Sequence, residues 1–217
     1  MHIDQITIIY FFALVAAIIL HEISHGVVAL WFGDDTARRA GRLTLNPIPH
    51  IDPFGSIILP ALGALAGIPV VGWAKPVPVD PSRLRNARRD MLFVSLAGPF
   101  TNLLLMVAAA LAARALYQPA SFGNAVFLDQ LSLPVQIALS FAIVNLFLAL
   151  FNLLPIPPLD GAALLERVLP PKWLPGWYRF RPYGMLVIFG LVFWGGSGLI
   201  GHLFDPFLRR LESYALQ

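Results

Sequence analysis

The chain has 217 residues, of which 58% are hydrophobic and only 12% are charged, and its mean hydropathy is +0.73. Soluble domains carry about 25% charged residues, and disordered chains contain few apolar ones, so the composition excludes both classes. The formal charge of +3 is spread along an apolar chain, which argues against a nucleic-acid partner. Without cysteine there are no disulfides and no thiolate metal ligands. We therefore predict a compact protein embedded in the lipid bilayer.

Four segments are long and apolar enough to cross a bilayer, whose core takes about 20 helical residues. They are residues 6–32, 91–116, 134–154 and 183–204. The alternative for the first segment is a cleaved signal peptide, but residues 1–5 contain no Lys or Arg and no small-residue cleavage site is evident. We predict a single domain over residues 1–217, with a core at about 6–167 and an additional C-terminal span at 183–204.

A fifth apolar stretch, residues 55–73, is interrupted by prolines and glycines and either crosses the membrane or re-enters it. If it returns to its own side, 12 of the 15 Lys and Arg residues lie there and three lie opposite. If it crosses, the split is 9 to 6. Because Lys and Arg concentrate in cytoplasmic loops, we predict a re-entrant segment in a multi-pass plasma-membrane protein, with residues 21–25 toward the cytoplasmic side.

A small β element is predicted at residues 42–45, where polar and apolar residues alternate. The pair Asn46 and Pro47 ends this run. The predicted fold is therefore an α-helical membrane protein with about four transmembrane helices, a re-entrant segment and a small membrane-associated β element.

The motif His21-Glu22-Ile23-Ser24-His25 lies about two-thirds of the way along the first span. Residues i and i+4 share one face of a helix, so both imidazoles can bind one metal ion while Glu22 reaches a water bound to it. A charged group at the bilayer centre costs at least ~2.5–3.5 kcal/mol, and metal binding compensates for this cost. The alternative is a polar cluster that only donates hydrogen bonds to neighbouring helices.

A catalytic zinc ion needs a third protein ligand, which here must be His, Asp or Glu. We favour Asp160, which follows a proline-rich turn at residues 155–158, because irregular backbone at membrane depth must be buried or line a wet cavity. The other histidine candidates are His2, His50 and His202. In the alternative interpretation, Asp160 caps a helix at residues 162–168. The re-entrant topology gives two crossings between the motif and Asp160, and an even number is needed for them to meet.

Three asparagines lie within the predicted spans. We interpret Asn102 and Asn145 as residues that join helices through hydrogen bonds. Asn152 lies close to the proline-rich turn and is predicted to donate to a substrate carbonyl or to its developing oxyanion. For His50 and Asp52 we favour a turn stabilised by side-chain hydrogen bonds over a place at the mouth of the site.

Taken together, these motifs resemble the site-2 proteases, a family of intramembrane zinc metalloproteases. The matching pieces are residues 21–25, 96–102 and 151–161, and residues 41–47 through 72–79 resemble a compact bacterial branch without PDZ or CBS domains. The resemblance implies that His21, His25 and Asp160 bind Zn²⁺ and that Glu22 is the catalytic base. It also implies that Asn152 assists substrate binding or oxyanion stabilisation.

The resemblance further implies hydrolysis of a peptide bond within or near the transmembrane segment of a membrane protein. Such an enzyme acts in regulated intramembrane proteolysis, and anti-sigma factors are examples of the expected substrates. One alternative is a metal transporter or metal-sensing membrane protein, although no internal repeat is visible. Another is a noncatalytic scaffold. The sequence leaves the oligomeric state open.

Overall fold

The computed structural model describes residues 4–59, 62, 73–118, 128–193 and 196–216, most of which are helical. The α-helices are α1 (Gln5–Trp31), α2 (Thr36–Arg39), α3 (Ala87–Leu116), α4 (Leu133–Asn152), α5 (Gly161–Val168), α6 (Leu174–Phe180), α7 (Gly184–Phe193) and α8 (Gly196–Ala215). A short π-helix, Pro53–Ile58, lies between α2 and α3.

Three of these helices, α1, α3 and α4, are long and apolar enough to cross a membrane, and they coincide with the first three predicted spans. The fourth predicted span falls on α7 and α8, and residues 194 and 195 lie outside the described residues. Among the described residues of this region, no helix is both long and apolar enough to cross a membrane. The predicted count of four spans is therefore not confirmed.

Polar side chains fix the beginnings of α1 and α3. Asp4 Oδ1 accepts from the Thr7 N–H at 2.9 Å, which caps α1. Asn86 Oδ1 accepts from the Arg89 N–H at 3.1 Å, and Asp90 Oδ2 accepts from the Asn86 N–H at 2.8 Å. These reciprocal bonds satisfy N–H groups that have no partner within the helix.

The three long helices pack closely because small residues lie between them. The buried alanines include Ala13 and Ala17 of α1, Ala109, Ala110 and Ala113 of α3, and Ala142 and Ala149 of α4. Large apolar side chains such as Phe12, which is 64% exposed, cover the outside, as expected of a surface that faces lipid. His21 of α1 contacts Asn102 of α3, and His25, one turn further along α1, contacts Val94, which comes earlier in α3. α3 is therefore antiparallel to α1. It is also antiparallel to α4, which it contacts through Asn102 and Asn145.

The chain between α1 and α3 returns to the end of the bundle that it left. The Arg85 N–H donates to the Phe32 carbonyl at 3.1 Å, so the end of α1 and the start of α3 are neighbours. The Trp73 N–H donates to the Gly55 carbonyl at 3.2 Å, so the two ends of the predicted re-entrant stretch also meet. Most of that stretch, residues 60–61 and 63–72, lies outside the described residues.

The predicted β element is not observed, since the structure contains no strand within the residues that it describes. Residue 42 has no regular structure and residues 43–45 form bends. The physical reason is that their polar groups bond to side chains and loops instead of to a neighbouring ladder. The Arg42 guanidinium donates to the Lys75 and Pro76 carbonyls, and the Thr44 carbonyl accepts from His50 Nε2 at 3.0 Å.

Candidate metal centre

One cluster of metal-ligating side chains combines α1 with the turn that follows α4. One ligand atom each from His21, His25 and Asp160 lies within 4.8 Å of the other two. The two Nε2 atoms are 3.1 Å apart. Asp160 Oδ2 is 3.2 Å from His21 Nε2, and Asp160 Oδ1 is 3.5 Å from His25 Nε2. Both imidazoles are buried, so three polar groups converge in a largely apolar interior.

The outer nitrogen of His21 is bound by a chain of amides that crosses the bundle. His21 Nδ1 lies 2.5 Å from Asn102 Oδ1, Asn102 Nδ2 donates to Asn145 Oδ1 at 2.8 Å, and Asn145 Nδ2 donates to the Phe141 carbonyl at 2.8 Å. The main-chain carbonyl at the end only accepts, which fixes the direction of every bond before it. Nδ1 of His21 therefore donates.

His25 is oriented by main chain instead. Its Nδ1 lies 2.6 Å from the Val94 carbonyl of α3, which again makes Nδ1 the donor. In a neutral imidazole the other nitrogen then carries a lone pair, so the Nε2 atoms of both histidines present lone pairs to each other. Hydrogen bonds of this kind on the outer nitrogen are usual for histidines that bind metal.

The cluster fits a zinc ion. Two nitrogen lone pairs and a carboxylate repel one another unless a cation lies between them, and the buried Asp160 Oδ2 has no hydrogen-bond partner among the described residues. Ligand atoms about 2.0–2.2 Å from a tetrahedral zinc ion lie about 3.3–3.6 Å apart. The three distances of 3.1, 3.2 and 3.5 Å are close to this spacing.

A glycine of α3 makes room for both imidazoles. A Cβ atom on Gly98 would lie 2.5 Å from Nε2 of both His21 and His25, a distance that non-bonded atoms do not reach. Any side chain at this position would displace the ring nitrogens that face the cluster. Glycine is therefore required at position 98 because α3 passes so close to the two imidazoles, and not because of its backbone conformation.

Asp160 does not cap the helix that follows it. It occupies the N-cap position of α5 but makes no side-chain hydrogen bond to the helix. Its carboxylate instead faces the two histidines. Of the two interpretations left open by the sequence, the contacts agree with a metal ligand.

Glu22 follows His21 on α1, and its carboxylate is held by the main chain of another segment. Its Oε2 accepts from the Val77 N–H at 2.7 Å. Val77 belongs to residues 73–80, which have no regular secondary structure. The second carboxylate oxygen of Glu22 makes no hydrogen bond among the described residues.

The remaining predicted residues have local partners. Asn152 Nδ2 donates to the Leu148 carbonyl one turn back at 2.9 Å. His50 donates to the Thr44 carbonyl, and Asp52 Oδ1 accepts from two N–H groups of the π-helix, as the turn interpretation predicts. His202 is exposed on α8, and His2 lies outside the described residues.

Sequence reasoning missed the second role of Asn102. The residue does join α3 to α4 through Asn145, as predicted, but it also orients His21. The available signal was an asparagine within an apolar span, but its spacing did not specify a partner on α1. The roles of the Val94 carbonyl and the Val77 N–H had no signal, because every residue carries these groups.

A cavity of about 730 Å³, lined by both polar and apolar side chains, reaches the cluster at Asp160. Residues of α3, α5 and α6 line it. Its charged or hydroxylated lining side chains are Arg88, Ser95, Asp160, Glu166, Arg167, Tyr178 and Arg181. Tyr178 Oη donates to Glu166 Oε1 at 2.7 Å, which joins α6 to α5 across the wall of the cavity.

Comparisons with known proteins agree with this geometry. The "Putative zinc metalloprotease YwhC" of Bacillus subtilis is 39% identical over 180 residues, which cover 80% of this chain and 75% of that protein. The "Putative zinc metalloprotease Rip2" of Mycolicibacterium smegmatis is 36% identical over 170 residues, 78% of this chain and 60% of that protein. No solved structure matches the chain significantly.

Residues 9–172 match Peptidase family M50. This match covers most of the chain and includes α1, α3, α4 and α5 together with the cluster that they form. The chain therefore belongs to Peptidase family M50, the site-2 protease family of zinc-dependent intramembrane metalloproteases.

Proposed function

We propose that this protein hydrolyses a peptide bond within or next to the transmembrane segment of a membrane protein, with Zn²⁺ bound by His21, His25 and Asp160. The observation that carries the proposal is the convergence of one ligand atom each from these three residues. The Nδ1 atoms of both histidines already have hydrogen-bond partners, which leaves their Nε2 atoms for the metal. When bound, zinc supplies a Lewis acid that lowers the pKa of a water molecule to about 7 and polarises the scissile carbonyl.

Glu22 is the proposed general base. Because it follows His21 by one residue, it projects about 100° round α1 from that ligand, from where it could reach a water bound to the metal. One carboxylate oxygen is fixed by the Val77 N–H, which leaves the other for the attacking water. Glu22 would take the proton from this water and deliver it to the leaving amine.

In this proposal, water would reach the site through the cavity at Asp160. The cavity of about 730 Å³ has room for many water molecules, since each occupies about 30 Å³ in the liquid. Its charged walls would keep it hydrated. Hydrolysis in an apolar protein requires such a path.

The proposed substrates are transmembrane proteins, with anti-sigma factors as one candidate class. A membrane helix satisfies its carbonyls internally, so the segment at the cleavage point must unwind before it is hydrolysed. Asn152 is the proposed donor to the scissile carbonyl, because its amide has two N–H groups and only one bonds to Leu148.

We propose that the metal centre faces the cytoplasm across a plasma membrane. The basic residues of the loops between α1 and α3, and of α5 and α6, lie at the end of the bundle that carries the cluster. Arg114 bonds to the Tyr214 carbonyl at 3.0 Å, so it lies with the C-terminal basic residues at the other end. This asymmetry supports the orientation through the positive-inside rule and supports a re-entrant course for residues 55–73.

The proposal is tested by measuring cleavage and zinc content together in purified protein. Glu22→Gln should lower kcat about 10²–10⁴-fold and leave bound zinc unchanged, because Glu22 is not a ligand. Asp160→Asn should weaken zinc binding by at least about 10²-fold, since even residues behind the ligands cost 10–100-fold. Asp205→Asn on α8 is the control, with both quantities at wild-type values. Full cleavage by Glu22→Gln, or full zinc in Asp160→Asn, would contradict the assignment.

A further inference from the structure

Residues 73–80, which we call the strap, lie along the half of α1 that carries Glu22. Three alternate N–H groups of the strap donate hydrogen bonds: Trp73 to the Gly55 carbonyl, Lys75 to the His50 carbonyl at 2.9 Å and Val77 to Glu22 at 2.7 Å. Positions 76 and 78 are prolines, which have no N–H and favour an extended backbone. Of these three donors, Val77 bonds to a side chain of α1, and at the end of the strap the Asp80 N–H bonds to Asp34 Oδ2 at 2.7 Å.

The strap packs tightly enough on α1 to fix where the Val77 N–H points. Val77 is 7% exposed. A Cβ atom on Gly26 would lie 3.0 Å from Val77 Cγ1 and 2.5 Å from Leu43 Cδ2, so the strap and the turn beneath it touch the helix backbone. The position of the strap therefore decides the position of the Glu22 carboxylate.

A buried arginine holds the strap immediately before Val77. Arg42 is 6% exposed, and its guanidinium donates to the Lys75 carbonyl at 2.5 Å and to the Pro76 carbonyl at 3.2 Å. The turn after α2 brings it there, with the Arg42 N–H bonded to the Ala37 carbonyl at 3.0 Å. A planar guanidinium that bonds two successive carbonyls restrains both of the peptide units that precede Val77.

We infer that Arg42 is a positioning residue for the general base, acting through the strap to hold the Val77 N–H against the Glu22 carboxylate. The inference rests on the proposed function, in which Glu22 takes the proton from water. Arg42 touches neither Glu22 nor the metal cluster. It sets the geometry of the base by fixing the donor that the base accepts from.

The test compares variants of the full-length, zinc-loaded protein in a cleavage assay that separates kcat from KM. Arg42→Ala should lower kcat about 10²-fold, the cost of misplacing a reacting group by about 1 Å, with KM within about threefold and zinc content unchanged. Arg42→Lys should restore most of the loss, because an ammonium group still donates to the carbonyls. Arg39→Ala is the matched control, since Arg39 pairs only with Asp35 on the surface, and it should keep wild-type kcat.

A double-mutant cycle distinguishes positioning of the base from a general structural role. In a Glu22→Gln background, Arg42→Ala should cause no further loss of kcat, because the residue through which it acts is already gone. An equal loss in both backgrounds, a change in KM alone, or an unchanged kcat would overturn the inference. A wild-type protein that cleaves no membrane substrate would instead overturn the proposed function.

Substitutions at Val77 decide the question if Arg42→Ala does not fold. Val77→Pro removes the N–H that bonds to Glu22, whereas Val77→Ala keeps it and loses only side-chain packing. We expect kcat of Val77→Pro to be at least about tenfold below that of Val77→Ala, in line with loss of base geometry. Equal kcat values would overturn the inference.

Discussion

The two histidines of the metal centre are held by different kinds of atom. His21 bonds to the side chain of Asn102, which bonds in turn to Asn145 of α4. His25 bonds to the main-chain carbonyl of Val94, which any residue at that position would supply. The comparison teaches that the half of the site around His21 depends on the identity of its neighbouring side chains. The half around His25 depends instead on the path of the α3 main chain. Substitutions in α3 should separate the two halves.

The largest effect is expected where the two halves meet, at Gly98. Gly98→Ala places a Cβ atom within 2.5 Å of both Nε2 atoms, so both ligands must move and zinc binding should be lost. Metal analysis of the purified variant measures this. Gly190→Ala in α7 is the control, because its Cβ would have no neighbour within 4 Å among the described residues, and it should bind zinc normally. Zinc retention by Gly98→Ala would show that α3 shifts easily.

The half of the site that depends on identity should respond to a change at Asn102. Asn102→Leu keeps the volume but removes the acceptor for His21, and it should weaken zinc binding about 10–100-fold. Asn145→Leu removes only the next link and should have a smaller effect. Competition with a chelator measures both. Equal effects of the two substitutions would indicate that the amide chain acts as a structural unit rather than through His21.

The half that depends on the main chain should tolerate a change of side chain. Val94→Ala leaves the carbonyl that orients His25 and removes only buried methyl groups, so zinc affinity should stay within about threefold of wild type. The variant should nevertheless unfold at a lower temperature, because Val94 is 3% exposed and each lost methylene costs about 0.8 kcal/mol. A loss of zinc affinity as large as that of Asn102→Leu would contradict the comparison.

The smallest effect is expected in the loop beside α1, at Asp34. Burial opposes ionisation of this carboxyl, but hydrogen bonds from Thr36 and from the Asp80 N–H hold its pKa below the ordinary value of 3.8. A lowered pKa stabilises the folded state above the unfolded-state value, and this contribution is lost as the pH falls through the folded-state pKa. Asp34→Asn should therefore lower the unfolding temperature at pH 7, with a difference that narrows below pH 4. A pH-independent difference would exclude the charge as its cause.

Much of the architecture could be predicted from the pattern of apolar residues along the chain. Uninterrupted apolar runs predicted α1, α3 and α4, because a bilayer requires helices of that length. The fourth span, predicted at residues 183–204, was not confirmed, because no helix described in that region is both long and apolar enough to cross a bilayer. The predicted β element was not observed, because alternation of polar and apolar residues over four positions does not specify a neighbouring strand. Arg42 and Thr44 found their partners in the strap and in His50.

The sequence by itself determined that this is a membrane protein with two histidines on one helical face, since hydropathy and the spacing of four residues are properties of the chain alone. Only the tertiary structure decided that Asp160 faces those histidines instead of capping α5, and that Asn102, the Val94 carbonyl and the Val77 N–H orient the groups around them. Such contacts join residues more than 50 positions apart. They arise because burying a polar group is costly unless it finds a partner, and packing determines which partner lies within reach.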